Sequence, residues 1–284
     1  TGVQTCALPI LSSMPTLERY FAVSADTIQL TLASFFIGFS FGQAFYGPIS
    51  DKYGRKPPLY IGLLIFVVAS VGCALSTTVE WLIFFRFLEA LGACAGGVIS
   101  RAVVRDLYHP SEASKIYSYL MLVSSVAPML SPIAGGYILI SLGWKAIFLI
   151  LAALGVVSLF SIVFWLEESH AKNRTESIAI KNVANEYAKL LKHKYFMGYA
   201  LSGGFAMAGM FAYITSSPFV FIDTFHLSVE NYGMLFGANA VIFVLSAQIN
   251  ARIVNKIDSS VIFDTAMAML ALSGIAMFAA ALFE

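Results

Sequence analysis

Charge is scarce in this 284-residue chain: Asp, Glu, Lys and Arg make up 12% of it, against 59% hydrophobic residues and a mean hydropathy of +0.81. A soluble domain carries about 25% charged residues, so most of this chain has no water-facing surface and an all-α integral membrane fold is expected. The net charge of +1 excludes the overall basic excess of a nucleic-acid binder. The cysteines are Cys6, Cys73 and Cys94, the last two inside apolar runs. They give neither a disulfide framework nor a metal-ligand spacing. The four histidines, His109, His170, His193 and His226, fall in loops or at the edges of apolar runs, so intramembrane haem or metal ligation is unsupported. No phosphate-cradling glycine loop and no nucleophile elbow occurs. An enzyme and an ATP-driven pump are therefore disfavoured, no cofactor or metal is expected, and an ion gradient is left as the energy source.

Long apolar runs are what the chain does have. A spanning helix needs about 20 mostly apolar residues, and eight segments qualify: 28–49, 59–75, 81–100, 119–140, 146–166, 196–222, 232–250 and 260–282. The charged stretch 167–195 separates five runs from three. Within it, Val183, Tyr187, Leu190 and Leu191 stand at helical spacing among Lys and Glu, the pattern of an amphipathic helix on a bilayer surface. Residues 1–10, TGVQTCALPI, read like a translated sequencing-adapter oligonucleotide and lack the basic start and apolar core of a signal peptide. They are expected to be non-native and are set aside. The last run stops two residues before the end, so both ends are expected to be cut.

Lys and Arg are distributed unequally between alternate loops. Fourteen of the seventeen lie on the side of Lys52, Arg55 and Lys56, two (Arg19 and Lys145) lie on the other, and Arg86 falls inside a run. Lys and Arg are retained on the cytoplasmic side during insertion, so the loops 51–58, 101–118, 167–195 and 251–259 are expected to be cytoplasmic. The weak echo of the 47–56 loop at 250–257, on the same side, is what a repeated six-helix unit would give.

Several local patterns add chemistry. Residues 47–56 read GPISDKYGRK. Gly47 is expected to allow close helix approach, Asp51 to pair with a helix end or with Arg101 or Arg105, and Gly54 to permit a tight turn. With Lys52, Arg55, Lys56 and Arg105, these residues suggest a gate on the cytoplasmic face. Arg86 and Glu89 lie three residues apart inside one run and so share a helical face. An unpaired charge near mid-membrane costs at least ~2.5–3.5 kcal/mol, so such residues face a cavity or a partner. Glu89, half way through its run, is expected to carry a proton, with Arg86 as its charge partner or an anion contact; a static buried pair is the alternative. Pro128 and Pro132, followed by Gly135 and Gly136, weaken one run at successive turns and suggest a hinge. Gly38 with Gly42, Gly92 with Gly96, and Ala93 with Gly97 have the spacing of close helix contacts. Phe35, Phe39, Gln29, Phe211, Tyr213 and Asn239 are candidate lining residues for an apolar, aromatic cavity.

The GPISDKYGRK loop resembles the GxxxD(R/K)xGR(R/K) loop between the second and third spans of major facilitator transporters. RFLEALG at 86–92 resembles the fourth-span pattern of that family, and APMLSPIAGG at 127–136 its fifth-span antiporter motif, with Ser131 where the first Gly usually stands. RDLY at 105–108, GWKAIF at 143–148 and SPFVFI at 217–222 are similar to the bicyclomycin-resistance branch of drug:proton antiporters. The resemblance implies a major facilitator fold with about eight of twelve transmembrane helices, spans two to nine, and a span-one remnant at 11–20. Residues 11–166 would form the N-terminal half, 167–195 the linker, and 196–284 part of the C-terminal half. It also implies proton-driven efflux of drug-like small molecules across the bacterial inner membrane, by a monomer, with protons and the lipid bilayer as its other partners and no nucleic acid. An importer of a small metabolite and a non-transporting scaffold are the alternatives.

Overall fold

The computed structural model describes residues 9–169, 180–253 and 256–282, and among them every regular element is helical. After a 3₁₀ turn at Leu11–Ser13 come α1 (Met14–Phe21), α2 (Ala25–Tyr53), α3 (Lys56–Leu75), α4 (Val79–Leu107), α5 (Pro110–Leu142) and α6 (Trp144–Trp165). Then follow α7 (Ile180–Lys192), α8 (Lys194–Pro218) with a π-helical turn at Phe219–Thr224, α9 (Val229–Ile253) and α10 (Ser259–Leu282). The eight expected runs correspond to α2 to α6, α8 with its π turn, α9 and α10. Among the described residues, α2, α3, α4, α6, α8 with its π turn, and α10 are long and apolar enough to cross a membrane.

Local chemistry sets the ends of these helices. Ser24 caps α2, its hydroxyl accepting from the Thr27 amide at 3.4 Å, and α2 stops at Gly54, whose φ of 88° lies where side chains are disfavoured. α3 and α5 open with proline in the first turn, where the missing N–H costs nothing. Gly143, at φ 80°, separates α5 from α6. The stretches 51–58 and 101–118, expected as loops, are mostly helix. The first is interrupted only around Gly54 and Arg55, and the second only at Tyr108 and His109. The physical reason is that a helix satisfies its own backbone in water as well as in lipid, so Arg101 and Arg105 ride on an extension of α4 past the apolar run.

α4 is the centre of the first bundle, with α2 and α3 packed along it and α6 packed against α3. Small residues make the crossings tight. A Cβ on Gly38 would lie 2.5 Å from the Phe87 carbonyl oxygen, and one on Gly92 would lie 2.5 Å from both the Gly62 oxygen and the Phe66 nitrogen. The expected small-residue pairs are only half used this way: among the described residues, nothing comes within 4 Å of a Cβ on Gly96 or Gly97, and the same holds for Gly47. Among the described residues Gly47 therefore has no close helix neighbour, and the tight crossings lie nearer mid-span.

The two sets of helices meet where α9 packs on α5 and where the Phe36 ring of α2 lies 4.4 Å from that of Phe211 on α8. The segment before α1 also enters the core. Ile10, Leu11, Met14 and Leu17 have essentially no exposure, and the Pro9 carbonyl lies against Gly135 of α5. Outward faces carry large apolar side chains such as Phe164, Trp165, Phe205 and Phe278, as lipid contact requires. Replacing Gly92 by Leu should prevent close α3–α4 packing and cost ~1–3 kcal/mol or more, whereas Gly97→Leu should be neutral. Thermal unfolding in detergent checks both, and equal losses would refute the assignment.

Candidate functional site

Arg86 and Glu89 lie one turn apart on the buried face of α4, both with no solvent exposure. At 1.5 Å per residue, Glu89 is ~15 Å along α4 from Val79, near the middle of an apolar layer ~30 Å thick. Arg86 donates from Nη1 to Glu89 Oε2 at 2.6 Å. Glu89 Oε1 accepts from the Ser70 hydroxyl of α3 at 2.9 Å, and the Cys73 thiol stands 4.0 Å from Oε2. The guanidinium carbon lies 4.3 Å from the Phe35 ring centroid of α2 and 5.8 Å from that of Phe148 on α6. Aromatic faces attract cations, more strongly when water is excluded. Four helices therefore converge on one ion pair. Ser70, Cys73 and Phe148 were not among the sequence candidates: their separation along the chain from Arg86 and Glu89 leaves no local pattern to read.

A second charged cluster closes the turn between α2 and α3. Arg55 is buried at 1% exposure. Its Nε donates to Asp106 Oδ2 of α4 at 2.7 Å, and its Nη1 donates to the Ser50 hydroxyl at 2.8 Å and to Asp51 Oδ1. Burial alone would weaken its hold on the proton, but the hydrogen bonds and charges of Asp106 and Asp51 outweigh it and raise the pKa above the ordinary arginine value. The backbone amides of Arg55 and Lys56 donate to Glu168 Oε1 and Oε2, at 2.7 and 3.1 Å. Asp51 thus pairs with Arg55 rather than with Arg101 or Arg105, because the chain reverses at Gly54 and swings Arg55 back over the end of α2. Arg105 is largely exposed and approaches Asp106 at 4.0 Å. Lys52 and Lys56 set their ammonium groups near the rings of Tyr53 and Tyr60, outside the cluster. Asp106 and Glu168 were missed because nothing in sequence links them to Arg55.

The other candidates separate into groups. Phe35 and Phe39 stack with centroids 6.4 Å apart, beside the ion pair. Phe211 meets α2 through Phe36. Asn239 of α9 donates to the Tyr213 hydroxyl of α8 at 2.7 Å, on an exposed face. Gln29 is half-buried near the start of α2. α5 runs unbroken as helix from Pro110 to Leu142; Gly135 and Gly136 in it are buried, while the side chains of Pro128 and Pro132 lie outside the described residues.

Residues 4–284 match the Major Facilitator Superfamily. The chain belongs to that family. It is 37% identical over 244 residues to the uncharacterized MFS-type transporter YdgK of Bacillus subtilis, covering 85% of this chain and 61% of that protein. It is 31% identical over 262 residues to a bicyclomycin resistance protein homolog of Haemophilus influenzae, covering 92% and 66%. To the multidrug transporter MdfA of Edwardsiella piscicida it is 30% identical over 226 residues, covering 80% and 55%. The chain thus spans less than two thirds of the length of these relatives.

Solved structures share the fold. A bacterial homolog of the human lysosomal transporter Spinster, inward-facing and unoccupied, superposes with a TM-score of 0.70 at 15% identity, over 89% of this chain and 60% of that one. A D-xylose–proton symporter gives 0.64 at 18% identity, over 90% and 66%. This Major Facilitator Superfamily chain is accordingly a multi-pass membrane protein of a transporter family, not an enzyme.

Removing one partner of a buried ion pair leaves the other charge in an apolar medium. Glu89→Ala or Arg86→Ala should each cost ~3–5 kcal/mol, and Arg86→Met with Glu89→Leu should cost less than either. Unfolding temperatures in detergent test this; a double variant worse than both singles would refute it.

Proposed function

We propose that the chain forms part of a proton-driven exporter of drugs or other small amphipathic molecules in the bacterial inner membrane, working by alternating access. The observation that carries this reading is the Arg86–Glu89 pair, closed at 2.6 Å and fully buried where four helices meet. Efflux is the direction suggested by relatives named for multidrug transport and bicyclomycin resistance. The excess of Lys and Arg around 47–56 supports a cytoplasmic location for that side, and the protein is taken to act as a monomer.

In this mechanism Glu89 takes up a proton on Oε2 and its charge attraction to Arg86 ends. The guanidinium keeps the Phe35 and Phe148 rings but loses a carboxylate partner, which favours a different packing of α2 and α4. Loss of the proton restores the pair. Two states that differ in one buried ion pair are what a proton needs to bias a rocking motion. Phe35 and Phe39 would face the drug beside the pair, with Gln29, Phe211, Tyr213 and Asn239 as further contacts and the 128–136 segment of α5 as the hinge. The turn at 47–56, with Asp51, Arg55 and Asp106, would latch the cytoplasmic end.

The test is uptake of bicyclomycin into inverted membrane vesicles under an imposed proton gradient, using the transporter that carries this chain. Glu89→Gln, which keeps shape but cannot carry the charge, should lower gradient-driven transport by about ten-fold or more. Asp51→Asn should slow transport while leaving its dependence on the gradient intact. Gradient-driven transport by Glu89→Gln at the unmodified rate would sink the proton-carrier role.

A further inference from the structure

The carboxylate that closes the α2–α3 turn comes from the other end of the first bundle. Glu168 stands three residues beyond the last residue of α6, where the 167–195 linker begins. Its two oxygens accept from the amides of Arg55 and Lys56, at 2.7 and 3.1 Å. These N–H groups open α3 and have no partner within the helix, and an anion at a helix N-terminus is favoured by the peptide dipoles. Gly54 fits this contact twice over: its φ is 88°, and a Cβ there would lie 2.8 Å from Glu168 Oε2. A side chain at position 54 would displace the carboxylate as well as strain the turn.

The residue whose amide Glu168 holds is the one whose side chain reaches α4. Arg55 Nε meets Asp106 Oδ2 at 2.7 Å, and its Nη1 meets Ser50 and Asp51. The backbone of Arg55 is thus held by the start of the linker, and its side chain by the ends of α2 and α4. A shift of Glu168 moves the backbone from which the guanidinium extends, and a charge-assisted hydrogen bond at 2.7 Å tolerates little displacement.

We propose that Glu168 is a positioning residue of the cytoplasmic gate. Its grip on the N-terminus of α3 keeps Arg55 within reach of Asp106, so movement of the linker joining the two halves and release of the Arg55–Asp106 pair are one event. This rests on the reading of the 47–56 turn as a gate.

The test is a double-mutant cycle on bicyclomycin transport, with maximal rate and KM measured per mole of protein in the membrane. Glu168→Gln and Asp106→Asn should each lower the maximal rate about five-fold with KM within about two-fold, and the double variant should be no slower than the slower single variant by more than about two-fold. Losses that multiply in the double variant would overturn the coupling. A normal rate in Glu168→Gln beside a slow Asp106→Asn would overturn the role of Glu168 alone, whereas a normal rate in Asp106→Asn would remove the gate reading with it. Where Glu168→Gln leaves too little protein in the membrane to assay, Glu168→Asp, which keeps the charge but shortens its reach, takes its place in the same cycle.

Discussion

A charge buried in hydrocarbon must be matched, and in this chain that requirement is met by Glu89 accepting from Arg86 and Ser70 at mid-span. The arrangement around it follows from that match. α3 must lie close enough to bring Ser70 to the carboxylate, which the glycines at the Gly62–Gly92 crossing allow. α2 and α6 must each present a phenylalanine ring to the guanidinium. In the proposed cycle, protonation of this carboxylate is coupled to a change in packing, so that one buried pair serves as the switch between two conformations.

α4 joins this pair to the turn between α2 and α3. Glu89 and Asp106 are on one unbroken helix, ~25 Å apart at 1.5 Å per residue. A tilt of α4 that draws the pair away from Ser70 of α3 and the Phe35 ring of α2 would therefore also move Asp106, the acceptor of Arg55. Two charged clusters that share no residue are in this way carried by one rigid element, and rigid elements with two discrete arrangements are what transmit coupling over such distances.

The helices were readable because lipid leaves few options for the backbone: eight apolar runs became eight long helices. Arg86 and Glu89 could be paired in sequence because three residues on a helix is one turn. Their partners could not. Ser70 and Phe148 reach the pair through tertiary crossings, and Glu168 reaches Arg55 across 113 positions. Gly47, expected at a close helix approach, has no such neighbour among the described residues, because a glycine permits close packing without showing that a neighbour is there. The helical extension of α4 through Arg101 and Arg105 was missed because hydropathy marks the edge of the lipid, not the end of a hydrogen-bonded ladder.

In the proposed cycle Glu89 changes protonation when the transporter changes state. Infrared difference spectroscopy of the transporter in lipid, recorded with and without bicyclomycin, observes a carboxyl group directly. A drug-dependent carboxylic-acid carbonyl band that disappears in Glu89→Gln is expected. A spectrum with no such band, or one that persists unchanged in Glu89→Gln, would contradict it.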